Sequence, residues 1–180
     1  MLFRSSMTFA TPNGNDYVLK GHKWSNSAST ANMAFTLAST EAPQNGKPAP
    51  LSLFYLPIRQ DDGTLNGIEV EALKDKLGTR ALPTAQSLLS DVKAKMVGEK
   101  GKGVKTISTL FNITRIYNTI SAVSYIRRAY ALSNAYSSQR EAFGCMIENH
   151  VLHKKSLREL EMAYQSNTML AFFLSQLLGK

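Results

Sequence analysis

"GVKTISTLFNITRIYNTISAVSYIRRAYALSNAYSSQR", residues 103–140, contains no proline and, past Gly103, no glycine. Within it Val104, Ile107, Leu110, Phe111, Ile116, Ile120 and Val123 recur at roughly the three- and four-residue intervals that line one face of an α-helix. The spacing predicts one helix of about 38 residues, close to ~57 Å long at ~1.5 Å per residue. A helix of that length needs partners along it, since propensity alone holds a helix only marginally in water. Arg140 is its last residue on this reading and Gly144 the stop. A second helix is predicted from near Asn149 almost to the end, with Leu157, Leu160, Ala163, Tyr164, Leu170, Phe173, Leu174 and Leu177 towards a core. Two helices cannot cover both apolar stripes, so the pattern calls for self-association or for helices outside this sequence.

Up to about residue 97 the period is different. Short runs at Tyr17–His22, Ala34–Ser39, Leu51–Pro57, Ile68–Leu73 and Ala85–Val92 read as strands. They are separated by "TPNGND" with an Asn-Gly turn at Asn13 and Gly14, by "TEAPQNGKPAP", expected to be an exposed loop, and by "DDGTLNG". The predicted fold class is α+β: an antiparallel β-barrel or sandwich-like domain, residues 1–99, followed by two long helices of an incomplete four-helix bundle, residues 100–180. At 180 residues and 43% hydrophobic the chain is long enough for one ordinary core or two small layers.

No apolar run approaches the roughly 20 residues of a membrane helix; the richest, Met169–Leu178, is half that, and membrane insertion is not expected. The start "MLFRSSMTFA" lacks the apolar stretch of a secretory signal. A lone cysteine, Cys145, excludes internal disulfides and cysteine-rich metal sites. The formal charge of +8 raises nucleic acid as a partner, but the basic clusters are modest: Lys93 to Lys105, Arg127 with Arg128, and His153 to Arg158. Solvated faces or cradles for small anions fit them better.

Local motifs exclude more than they establish. "GEKGKGVKT", residues 98–106, feeds a helix as phosphate loops do, yet Val104 stands where a P-loop needs lysine, and the glycine spacing matches no dinucleotide fingerprint. His150 and His153 lack the third ligand of a zinc site, and no Gly-x-Ser-x-Gly elbow occurs. Two stretches stay open. "YSSQREAFG", residues 136–144, offers Arg140 as a phosphate-grade fork beside the ring of Phe143, or else a plain helix cap. "GHKWSNSAS", residues 21–29, sets the only tryptophan, Trp24, among short polar side chains, as an edge strand or a shelf for a flat hydrogen-bonding ligand would.

Taken in order and spacing, "GHKWSNSAS", "LSLFYLPIR", "LKDKLGTRALPTAQSLLSDVKAKMVGEKGKGVKTI", "NITRI" and "YSSQREAFG" resemble the acyl-CoA dehydrogenase family of flavoproteins, and within it the alkylation-response, AidB-like branch. The resemblance covers nearly the whole chain. It implies an oxidoreductase fold with a middle β domain and the first two helices of a four-helix domain, FAD as cofactor and acyl-CoA as substrate. In the family the Gly-x-Lys-x-aromatic-x-Thr/Ser segment lies against the flavin ring; here Lys23 leads to Ser27 at the hydroxyl position, with Asn26 beside it, while Ser25 replaces the aromatic residue. The Arg-x-x-Phe-Gly segment, matched by Arg140, Phe143 and Gly144, reaches the FAD pyrophosphate of a neighbouring subunit, which implies a homo-oligomer, dimer or tetramer. His150 matches one half of a His-Gln pair that serves the same cofactor. Asn112, Thr114 and Arg115 correspond to the acyl-CoA cleft.

The implied reaction is α,β-dehydrogenation: a carboxylate removes the α proton of an acyl thioester while the flavin takes the β hydride. No base is identified; in a minority of the family it stands where this chain has Thr114. The resemblance also implies family helices before Met1 and after Lys180, so a fragment is expected. Alternatives are a non-catalytic piece that binds acyl chains or partner subunits, motivated by Ser25, and a DNA-associated flavoprotein of the AidB-like kind. Mitochondrial, peroxisomal and cytoplasmic settings are all compatible with the resemblance.

Overall fold

The structure, a computed structural model, describes residues 8–27, 29–43 and 49–179. Its first compact unit, Met1–Ser108, is a β-barrel and its second, Thr109–Lys180, is helical. Residues 44–48 of the expected 40–50 loop lie outside the described residues.

The barrel strands are β1 (Thr8–Asn13), β2 (Asp16–Asn26), β3 (Met33–Ser39), β4 (Leu51–Pro57), β5 (Ile68–Leu73) and β6 (Ala85–Val97). They follow the order β2-β1-β3-β4-β6-β5, and a further β2–β6 pairing closes the ring. All neighbours are antiparallel except β1 and β3, which meet in parallel at Phe9 and Ser39. Closure leaves β5 flanking the barrel on one edge of β6. Alternation along β4 and β6 turns Phe54, Leu56, Leu89, Val92 and Ala94 inward, where with Leu19, Ala38 and Ile68 they form the core. Tyr17 meets Phe54 edge-on, ring centres 5.1 Å apart.

β6 is the organising strand. One edge runs along β2; the other serves β5 from Ala85 to Leu89 and then β4 from Lys95 to Val97. At the change of partner Asp91 adopts φ 57°, and the register against β2 shifts by one residue, the mark of a β-bulge. The buried amide of Asn66 fills the gap: its Nδ2 donates to the carbonyls of Pro57 and Lys93, and its Oδ1 accepts from Lys93 N. Backbone groups that no strand reaches are thereby satisfied.

β1 is an element that the sequence reading missed. Pro12 sits in it opposite Tyr17, and the turn is centred on Gly14 and Asn15, one residue later than expected. Proline is tolerated because β1 touches β3 only at Phe9, so no ladder partner faces Pro12 on that side.

In the second unit α1 (Gly103–Ser137) and α2 (Val151–Leu178) run antiparallel, Tyr130 stacked on Tyr164 and the buried Ser137 hydroxyl against His153. Ser137 Oγ donates its proton to Ser133 O, so His153 Nε2 is the donor in their contact. Along α1 the predicted apolar positions Ile107, Ile116 and Val123 are half-buried, but Leu110, Phe111 and Ile120 lie exposed, as do Leu170, Phe173 and Leu177 of α2. No described helix is long and apolar enough to cross a membrane.

Between the helices the reading needs correction. α1 stops at Ser137, not at Arg140, and Gly144 does not cap it. A miniature hairpin follows, β7 (Glu141–Ala142) paired with β8 (Cys145–Met146), its two-residue turn made by Phe143 at φ 54° and Gly144 at φ 82°. Both central residues are left-handed, as a type I′ turn demands. A single 3-10 turn, Ile147–Asn149, leads into α2.

Candidate functional site

Three groups of sequence-selected residues occupy three places. The first lies at the end of β2. From Lys23 opposite Ser87 to Asn26 opposite Ala85, β2 advances three residues while β6 advances two. A bulge at Trp24–Ser25 absorbs the extra residue and breaks the in-out alternation, so the two residues are exposed in succession. Trp24 is 65% exposed, with Lys74 Nζ 3.1 Å above its ring. That cation–π contact holds the indole on the outer surface. Just past the bulge, the hydroxyl of Ser27 accepts a hydrogen bond from Thr84 Oγ1 at 3.4 Å, and Lys76 Nζ donates to that threonine at 2.9 Å. Ser27 Oγ therefore keeps its own proton to offer. Sequence reasoning missed Thr84 and Lys76, which lie more than forty residues away along the chain.

Lys23 turns the other way. It lines a cavity of about 100 Å³ with Ser25, Asn26, Phe35, Thr36 and Leu89 among its neighbours, and its ammonium donates to Leu37 O at 2.6 Å. Burial lowers its pKa from 10.5 to about 8. Folded and unfolded lysine are both charged below pH 8, so there the full burial penalty weakens the fold, and it is relieved as pH rises from 8 towards 10.5. Lys23→Met should accordingly stabilise the barrel by about 2 kcal/mol at pH 7. The gain should shrink towards pH 10 in urea titrations followed by tryptophan fluorescence; a pH-independent gain would contradict the assignment.

The second group is the hairpin between the helices. Phe143 is 97% exposed on a left-handed backbone that costs a non-glycine residue about 1–2 kcal/mol. His150 supports it from below, its ring edge-on to Phe143 at 6.0 Å and its Nε2 3.0 Å from Ala142 O. Cys145 Sγ lies 3.5 Å from the same nitrogen. Arg140 anchors the hairpin through its carbonyl, which accepts from Ile147 N, and its guanidinium makes no ion pair among the described residues. A free fork and a presented ring thus stand three residues apart.

The third group, Asn112, Thr114 and Arg115, rides on α1, where Arg115 donates to Asn112 Oδ1 at 3.2 Å and Thr114 bonds back to Phe111 O. Arg115 precedes the end of α1 by about 22 residues, or about 33 Å of helix. The second and third groups of one protomer are therefore far apart. Among the described residues no three His, Cys, Asp or Glu side chains gather as a metal site.

Comparison with known proteins gives these places a context. Residues 3–92 match the acyl-CoA dehydrogenase middle domain and residues 101–179 the acyl-CoA dehydrogenase C-terminal domain. The chain is 41% identical over 166 residues to acyl-CoA dehydrogenase family member 11 of Caenorhabditis elegans, covering 91% of this chain and 27% of that protein. It is 29% identical over 160 residues to AidB of Escherichia coli K12, covering 89% and 28%. The crystal structure of Caenorhabditis elegans ACDH-11 in complex with C11-CoA superposes with a TM-score of 0.83 at 39% identity, over 92% of this chain and 28% of that one. The chain thus spans a little over a quarter of the length of these relatives. Two consecutive domain matches that together account for nearly every described residue make it a member of the acyl-CoA dehydrogenase family.

Proposed function

We propose that the chain forms part of an FAD-dependent acyl-CoA dehydrogenase that desaturates acyl-CoA thioesters between Cα and Cβ. The observation that carries this is the Arg140–Phe143 hairpin: an exposed aromatic ring held on a strained backbone beside a guanidinium that makes no ion pair among the described residues. Strain of that kind persists where a ligand uses it. The donor set fits a flavin dinucleotide. Arg140 supplies the two parallel N–H donors that a pyrophosphate takes, Phe143 and His150 a stacking edge, and Ser25, Asn26 and Ser27 uncharged hydrogen-bonding groups suited to a heteroaromatic ring.

FAD, when bound, supplies the two-electron acceptor. The chain's own residues bind and orient. Ser27 Oγ, whose lone pair is engaged by Thr84, presents a proton donor beside the bulge. Asn112 and Arg115 hold the acyl-CoA, and Thr114 lines the same face. We read residues 1–99 and 100–180 as the two domains that carry these roles. Acyl-CoA and cofactor must meet in one site, and about 33 Å of α1 separates the acyl-CoA residue Arg115 from the hairpin of the same protomer. The assembly proposed is a homo-oligomer in which the hairpin serves the neighbour's cofactor. An AidB-like association with DNA is the second reading, favoured by the Lys154, Lys155 and Arg158 ridge of α2; it requires duplex affinity that falls steeply with salt.

Titration with FAD tests the first reading. The protein should retain flavin, and Arg140→Ala should weaken retention by about 10- to 100-fold, the worth of a charge-assisted pair. Bleaching of the bound flavin by saturated acyl-CoA completes the case. Equal flavin affinity in wild type and Arg140→Ala would remove it.

A further inference from the structure

Lys23 is used by none of the roles above. Its ammonium carries three protons, and among the described residues only Leu37 O accepts one. The side chains that β3, β4, β5 and β6 contribute to its cavity, Phe35, Thr36, Leu56, Ile68 and Leu89 among them, include no titratable group, so no carboxylate there supports the charge. An ammonium with one acceptor and no carboxylate among the groups that line its cavity gives up a proton readily. The neutral amine still donates to Leu37 O, and that bond fixes the nitrogen with its lone pair directed away from the carbonyl.

We propose that Lys23 is an acyl-acceptor site, modified on Nζ by short-chain acyl thioesters. The neutral amine attacks the thioester carbonyl carbon; the new C–N bond forms as the C–S bond breaks. The thiolate leaves and takes up the proton lost from nitrogen, so one amine and one thioester give one amide and one thiol. No oxidant or flavin is needed for the step; Ser25 and Asn26, given to the flavin above, also line this cavity, so the test is made without added FAD. The cavity sets the chain length. About 100 Å³ takes an acetyl or propionyl group and is too small to enclose an octanoyl chain.

The burial that lowers the pKa to about 8 leaves roughly a quarter of the amine neutral near pH 7.5, against about one part in a thousand for a free lysine. The test is incubation of the folded chain with the acetyl thioester of N-acetylcysteamine, followed by site-resolved mass spectrometry of every lysine. Lys23 should be acetylated about tenfold faster than the median exposed lysine, with a rate midpoint near pH 8. The preference should vanish in 8 M urea, and the octanoyl thioester should not show it. Lys23 reacting no faster than exposed lysines, or retaining its advantage in urea, overturns the proposal; so does equal modification by acetyl and octanoyl donors. Lys23→Arg should remove the fast phase and leave the remaining sites unchanged, and a fast phase that survives it also overturns the assignment.

Discussion

Phe54→Ala should lower the unfolding midpoint of the barrel more than any other single truncation of its core. Phe54 is the largest fully buried side chain, it lies on the central stretch of β4, and it carries the edge-on contact to Tyr17. Removing its ring deletes buried apolar area and leaves a cavity in a closed barrel whose strands are tied on both edges and cannot collapse to fill it. The expected loss is about 3–5 kcal/mol, a large part of the stability of a domain of this size. In urea that is a shift of about 2 M in midpoint at an ordinary slope for a small domain. The measurement has a built-in reporter, since the one tryptophan, Trp24, belongs to the barrel unit. Phe54→Leu keeps most of the volume and should retain most of the stability. A loss below about 1 kcal/mol for Phe54→Ala would mean that the core lies elsewhere.

The second large effect is expected at Gly67, where β5 begins beside the bulge of β6. Its φ is 62°, and a β-carbon added there would lie 2.2 Å from Ser90 O and 3.4 Å from Val92 N. Neither atom can retreat. Ser90 N is bonded to Gly67 O at 2.8 Å, and Val92 pairs with Leu19 in β2. Gly67→Ala should therefore combine left-handed strain with a backbone clash, at about 3 kcal/mol or more. Gly14→Ala separates the two contributions. Gly14 has the same φ with nothing within 4 Å, so only the strain remains, about 1 kcal/mol. Equal losses for the two variants would show that the close approach of β5 to β6 is absent.

How far these features could be read from sequence depended on the range of the interactions behind them. The change of period at Gly103, the five strands and the two helices follow from neighbours a few residues apart, and those were legible. β1 was hidden because Pro12 and the following turn made Thr8–Asn13 look like a loop; only the absent neighbour opposite Pro12 makes a strand allowable. The end of α1 was misplaced because Arg140 and Gly144 look like helix-closing residues. The helix ends at Ser137, whose hydroxyl packs on His153, and a turn follows in which Gln139 N and Arg140 N both donate to Tyr136 O. The bulge at Trp24–Ser25 depends on pairing with Ala85 and Ser87, and the engagement of Ser27 depends on Thr84, so neither leaves a local signature. The lowered pKa of Lys23 is of the same kind: it arises from walls donated by four other strands.

Gly103 decides where the barrel can be cut from the helices. A β-carbon there would sit 2.5 Å from Leu53 N and Ser52 C, and two residues earlier Gly101 N donates to Ser52 Oγ at 2.8 Å. The opening turn of α1 is thus wedged against β4 and folds as part of the β unit, which runs to Ser108. An excised barrel ended at residue 99 would strip the cover from Ser52 and Leu53, next to Phe54 in the core, whereas one carried through Ser108 would keep its own lid.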